Sequence, residues 1–139
     1  MDYRSYEGLS MPPIKITVTR EMIADYARSI EETEPLFFEC EEAIKKGYND
    51  IPAPPCMPIL FWQHIHAPWM NGVESFIHKN QSFHYEKPVM AGHTYTCVIT
   101  LKSVQLKRSF LVLENELVGK NKNGEIIFTS NSTLIGRGK

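Results

Sequence analysis

Glutamates, histidines and cysteines are the side chains here that could transfer protons, bind metal or attack a carbonyl, and their spacing limits which of these is possible. Glu31, Glu32 and Glu34 crowd the end of a predicted helix. A carboxylate in that corner could accept a proton, although a solvated helix end has the same composition. His64 and His66 are two apart and face different sides of a helix, so they lack the i, i+4 spacing of helical metal ligands and read as packing or interface histidines. His84 and His93 fall in or beside predicted strands and read as solvent-facing turn residues. Cys40, Cys56 and Cys97 are an odd, widely separated set with no CxxC pair, which argues against a disulfide framework and against a zinc site. Cys56 stands where a positive helix end could lower a thiol pKa. With no base in reach along the sequence, the reading for Cys56 is an inert buried thiol.

The elements that must position these groups follow from periodicity. Ile14, Ile16 and Val18 alternate with Lys15 and Thr17 as a short half-buried strand, and Thr19 then offers an N-cap. From Arg20 to Glu31, Met22, Ile23, Tyr26, Ala27 and Ile30 form one stripe of an amphipathic helix, with Glu34-Pro35 as its break. A shorter helix is expected from about Glu39 to Lys46, capped by Gly47. The stretch from Ile51 to Met70 is apolar and broken by five prolines. Its longest helical window starts at Pro58 and reaches about His66, apolar nearly all round through Ile59, Leu60, Phe61, Trp62 and Ile65, which places it inside something. Beyond it the period drops to two: strands are predicted over Phe76 to Tyr85, Thr94 to Leu101, Phe110 to Val118 and Ile126 to Ile135. Asn123-Gly124 supplies the positive backbone angles of a hairpin turn. The result is an α+β fold: an antiparallel sheet of about five or six strands wrapped around one long apolar helix, in one domain over residues 1–139.

Bulk properties exclude several classes. The chain has 139 residues, 42% hydrophobic and 22% charged, enough to build a core without cross-links. Its fifteen basic residues are scattered and the net charge is −1, so nucleic acid is not an expected partner. The charged N-terminus is unlike a signal peptide and no apolar run reaches the length of a membrane span, so a cytoplasmic protein with no membrane partner is expected.

Four segments in order resemble one family. Tyr26-Ala27-Arg28-Ser29-Ile30-Glu31-Glu32-Thr33-Glu34-Pro35-Leu36-Phe37 resembles the motif of MaoC-type hydratases and dehydratases, an aromatic-alanine pair followed by Gly-Asp-x-Asn-Pro-x-His. Ala43 and Gly47 fall where that family places an alanine and a glycine. Ile51-Pro52-Ala53-Pro54-Pro55 resembles the entry to its buried helix, and Gln81 to Thr94 resembles its strand and turn ending in Pro-x-x-x-Gly-Asp. Over residues 8 to 136 the resemblance implies a hot-dog fold and an acyl thioester on CoA or acyl carrier protein. It also implies pairing of two such folds, as a homodimer or as a heterodimer with a catalytic MaoC-type chain, and no cofactor.

Active members place an aspartate and a histidine around a water that adds to the β-carbon of an acyl thioester. Alignment on Pro35 puts Glu32 at the aspartate position and Phe37 at the histidine position; Glu32 could accept a proton and Phe37 cannot. The helix entry, a His-Gly pair in active members, reads Ala53-Pro54-Pro55-Cys56-Met57-Pro58, with three prolines that lack an N–H for an oxyanion. Both departures resemble the non-catalytic N-terminal half of MaoC-type dehydratases. This implies an acyl-tunnel subunit of a 3-hydroxyacyl-thioester dehydratase or enoyl-thioester hydratase. Pro55, Cys56, Met57, Leu60, Phe61 and Phe37 would contact substrate, and Glu32 is the candidate proton acceptor. Two alternatives stay open: a hot-dog thioesterase using Glu32, Gln63, His64 and Glu74, and a non-enzymatic acyl-CoA-binding protein.

Overall fold

The computed structural model describes residues 3–71 and 73–138. A 3₁₀ turn over Tyr3–Tyr6 leads into β1 (Ile14–Thr17), followed by α1 (Arg20–Ser29), a 3₁₀ turn at Pro35–Phe37 and α2 (Cys40–Lys45). Two further 3₁₀ segments, Met57–His64 and Pro68–Met70, precede β2 (Val73–Tyr85), β3 (Thr94–Lys107), β4 (Phe110–Lys120) and β5 (Ile126–Gly138). The five strands form one antiparallel sheet in the order β1-β3-β4-β5-β2. This is a hot-dog-like α+β architecture with five strands, within the range expected from the sequence.

Each local signal acts through an identifiable bond. Thr19 has extended backbone angles and its hydroxyl accepts from the Met22 amide at 3.1 Å, as an N-cap should. α1 stops short of the expected Glu31. Glu31 takes φ 59°, its amide donates to the Arg28 carbonyl at 3.0 Å and the Glu32 amide to the Ala27 carbonyl at 2.8 Å. These are the two bonds of a Schellman motif, here closed by a glutamate, so the helix is terminated before Pro35 can act. α2 ends by the same device with the expected residue: Gly47 has φ 98°, and the Tyr48 amide reaches the Ala43 carbonyl at 3.1 Å. In the β4–β5 turn only Gly124 has positive φ, 80°. Asn123 does not share it; instead Asn121 Oδ1 accepts from the Asn123 and Glu125 amides at 3.0 and 2.9 Å, closing a hairpin loop over Lys122-Asn123-Gly124.

The long apolar helix is corrected by the structure. Met57–His64 is an eight-residue 3₁₀ segment, not an α-helix running to His66. Pro54 and Pro55 stand just before the segment, Pro58 sits in its first turn where no intrahelical amide bond is lost, and Pro68 limits the far side. At about 2.0 Å rise per residue, eight 3₁₀ residues cover about 16 Å, more than the same residues would as α-helix. The segment is still inside: Met57 and Phe61 are fully buried. Phe128 of β5 is a hub of ring contacts, with ring centroids 5.8 Å from Phe61, 6.2 Å from Tyr85 and 6.4 Å from Tyr95. Leu60, Trp62 and Ile65 pack partly buried against the same core, and Gln63 and His64 are exposed.

Candidate functional site

The site is held by the segment that leads into the 3₁₀ helix. Asp50 receives Nε and Nη2 of Arg20 at 3.0 Å each and accepts from the Ile51 amide at 2.7 Å, so the start of α1 is tied to this segment. The Arg20 hydrogen bond, then the Ile51 amide, hold the Asp50 carboxyl below the usual carboxylate range. Ala53 then donates to the Val89 carbonyl at 2.7 Å and Ala91 to the Ile51 carbonyl at 2.9 Å, so residues 51–53 lie along Val89–Ala91 in short antiparallel register. Tyr85, at the end of β2, donates its hydroxyl to the Pro55 carbonyl, closing the arrangement from the opposite side.

Between these elements lies a cleft of about 360 Å³ whose walls include Leu36, Phe37, Tyr48, Pro52, Pro55 and Tyr85. That volume lies in the range of small-molecule sites. Its interior is apolar; Glu86 and Lys87 are its charged lining residues, and Glu86 Oε1 accepts from Nε2 of exposed His84 at 2.9 Å. No histidine lines it among the described residues. Burial, and then the negative charges that Cys56 and Tyr26 would carry on ionising, push the Tyr85 phenol well above its ordinary range, so it stays protonated and serves as a donor.

The structure brings some expected site residues together and separates others. Phe37 and Pro55 both line the cleft. Met57 and Phe61 are fully buried core residues that do not line it, and Leu60 is half-buried against the core. Cys56, expected to be buried, is exposed, because the chain turns outward at Pro55 before re-entering at Met57. Glu32 is not a lining residue of the cleft; its Oε1 accepts from the Thr33 and Glu34 amides at 2.9 and 3.1 Å and orders the loop into Pro35. Gln63 and His64 are exposed, and the side chain of Glu74 lies outside the described residues. Among the described residues no group of three His, Cys, Asp or Glu side chains could hold a metal ion. Tyr48 and Tyr85 were missed as site residues; the alternation Gln81, Phe83, Tyr85, which puts Tyr85 on one sheet face, is the signal that could have found the second.

An antiparallel five-stranded sheet packed on a short apolar helix, with a small apolar cleft at the helix entry, defines a hot-dog-like protein. The chain belongs to the FAS1-like dehydratase domain region family, whose pattern matches residues 5–130. It is similar to a UPF0336 protein of Thermobifida fusca, 31% identical over 97% of this chain and 93% of that one. Its fold is similar to that in the C-terminally truncated HadBC (3R-hydroxyacyl-ACP dehydratase) complex of Mycobacterium tuberculosis, with TM-score 0.84 and 24% identity over 94% of this chain and 97% of that one. The ChsH1-ChsH2 complex of the same organism gives TM-score 0.73 and 17% identity over 94% and 98%.

Proposed function

We propose that this chain is the non-catalytic, acyl-accommodating half of a 3-hydroxyacyl-thioester dehydratase, acting in a hot-dog heterodimer whose other chain carries the aspartate and histidine. The observation that supports this most is the cleft itself: it has the size and apolar walls for an acyl thioester, yet Phe37 stands where the family motif has histidine and no imidazole lines it among the described residues. Hydration at the β-carbon requires a group that takes a proton from water and another that returns one, within hydrogen-bond reach of the reacting atoms. Phe37 offers neither, and the Glu32 carboxylate is occupied with loop amides. What this chain's residues supply is shape: Leu36, Phe37, Pro52 and Pro55 line the cleft, with Tyr85 fixed by its bond to Pro55. Similarity to chains in the HadBC and ChsH1-ChsH2 complexes agrees with a role in a two-chain assembly.

The test is hydration of crotonyl-CoA followed as loss of the enoyl-thioester absorbance. The purified chain alone is expected to match the buffer blank, and addition of an Asp/His-bearing hot-dog chain from the same organism is expected to give turnover that depends on both proteins. Turnover by this chain alone overturns the assignment, as does a partner whose rate is the same with and without it.

A further inference from the structure

Lys15, Lys120 and Lys122 are far apart in sequence but converge on the outer face of the sheet, opposite the buried helix. Lys15 pairs with Thr96 across β1–β3, and Thr96 pairs with Lys120 across β3–β4. The two lysines therefore flank one threonine in a single row, about 10 Å apart at two strand spacings. Lys122 follows in the β4–β5 turn, and the three ring a bowl of about 520 Å³ with Thr94, Thr96 and Gly124 and, among the described residues, no carboxylate in its lining. None of the three forms an ion pair among the described residues. Exposed like charges about 10 Å apart repel only weakly in water, and an anion placed between them is attracted by both.

The bowl is one end of a chain of adjoining clefts. It shares Thr94, Asn121 and Lys122 with a neighbouring hollow that contains Gly92 and His93. That hollow shares His93 and Asn121 with a groove of about 440 Å³ floored by Tyr95 and Ile127, which in turn shares Tyr48, Lys87 and Pro88 with the Phe37–Tyr85 cleft. In the connecting groove the one acid that lines it, Asp50, is held by Arg20, and Lys87 lies 3.7 Å from Glu125. The path thus begins apolar and ends in three unpaired ammonium groups.

We propose that this path is a single extended subsite in which the phosphate end of the thioester's carrier arm lies in the Lys15–Lys120–Lys122 bowl while the acyl end lies at Phe37 and Tyr85. Lysine suits this role as a compact point charge on a flexible stem, which can follow a phosphate ester without demanding one fixed geometry. The inference rests on the acyl-thioester reading above for its apolar end, and adds the anion at the other. The shared chemistry is a phosphate ester, whether it is part of a nucleotide or a prosthetic arm on a carrier protein.

Calorimetric titration of the full chain separates the possibilities, with three ligands sharing one acyl group: crotonyl-pantetheine, crotonyl-4′-phosphopantetheine and crotonyl-CoA, and with a crotonylated acyl carrier protein as a fourth. The combined variant Lys15→Glu, Lys120→Glu, Lys122→Glu, checked for folding by circular dichroism and backed by the milder Lys→Gln set, is expected to bind the phosphorylated ligands at least tenfold more weakly and crotonyl-pantetheine unchanged. Loss confined to crotonyl-CoA assigns the bowl to nucleotide phosphates, and loss that includes the carrier-protein thioester assigns it to the phosphate common to both. Equal affinity of variant and wild type for the phosphorylated ligands overturns the bowl and leaves the acyl-cleft reading standing. Failure of the wild type to bind any of the four overturns both.

Discussion

Glu31 shows how one residue can carry a turn for which its side chain is poorly suited. The resembling motif has glycine at this position, and the backbone here demands what glycine gives: φ 59° and the two Schellman bonds that end α1. A Cβ in the left-handed region costs about 1 kcal/mol. Glu31→Gly is therefore expected to raise stability by about 1 kcal/mol, seen as a higher urea midpoint with unchanged slope; a lower midpoint would show that the glutamate side chain contributes more than its backbone conformation costs. Glu32, its neighbour, shows what an alignment on the motif leaves open. The carboxylate falls at the catalytic position in sequence, yet it is held by two amides of its own loop. Alignment assigns a position along the chain; which way a flexible side chain turns is decided by the bonds nearest to it.

The strands obey a different constraint, complementary volume across the sheet. Gly119 of β4 lies opposite Phe128 of β5, and a Cβ at Gly119 would stand 2.1 Å from the Phe128 ring. Gly119→Ala is expected to destabilise by about 1–3 kcal/mol, the usual range for overpacking. Repeating it in a Phe128→Leu background should recover part of that loss, and equal penalties in both backgrounds would show that the ring is not the obstacle. The starts of β1, β3, β4 and β5 were legible because a period of two is written in Ile14-Ile16 and in the core-facing Leu111, Leu113 and Leu117. Thr19 and Gly47 marked helix ends because each satisfies a specific backbone bond. The 3₁₀ form of Met57–His64 was not legible, since apolar periodicity locates a buried segment without fixing whether each amide bonds three or four residues back. Phe37 and Pro55 could be paired from motif order, whereas Tyr48 and the three convergent lysines depend on register between distant segments, which no local pattern records.

For the molecule as a whole, two properties follow from what is buried and what is left open. Cys97 is fully buried, and desolvation pushes its thiol up to about 12, while Tyr85 and Tyr95 shift upward for the same reason. An acid whose folded pKa exceeds its unfolded value keeps more protons in the native state, so its stability contribution is complete below the unfolded pKa of about 8.5 and declines as pH rises toward the folded one. The urea midpoint is expected to fall steadily from about pH 9 upward, and less steeply in Cys97→Ala; identical slopes would remove the thiol from this account. The second property concerns the sheet's two edges. Beyond β1, the edge of β3 is covered by the N-terminal segment, where the Gly8 amide reaches the Leu101 carbonyl at 2.7 Å and the Met11 amide the Ile99 carbonyl at 2.8 Å. β2, at the other edge, is thirteen residues long and pairs only with β5 among the described residues, with Ile77 66% exposed on it. An edge that long, with an exposed isoleucine and no bulky cover, favours pairing with a second chain. Sedimentation velocity at micromolar concentration is therefore expected to show a dimer, and Ile77→Lys to weaken it while leaving the thermal transition of the monomer intact. A wild-type chain that sediments as a monomer, alone and with an Asp/His-bearing hot-dog partner, would mean that β2 is a tolerated free edge and that the cleft must work without a second fold beside it.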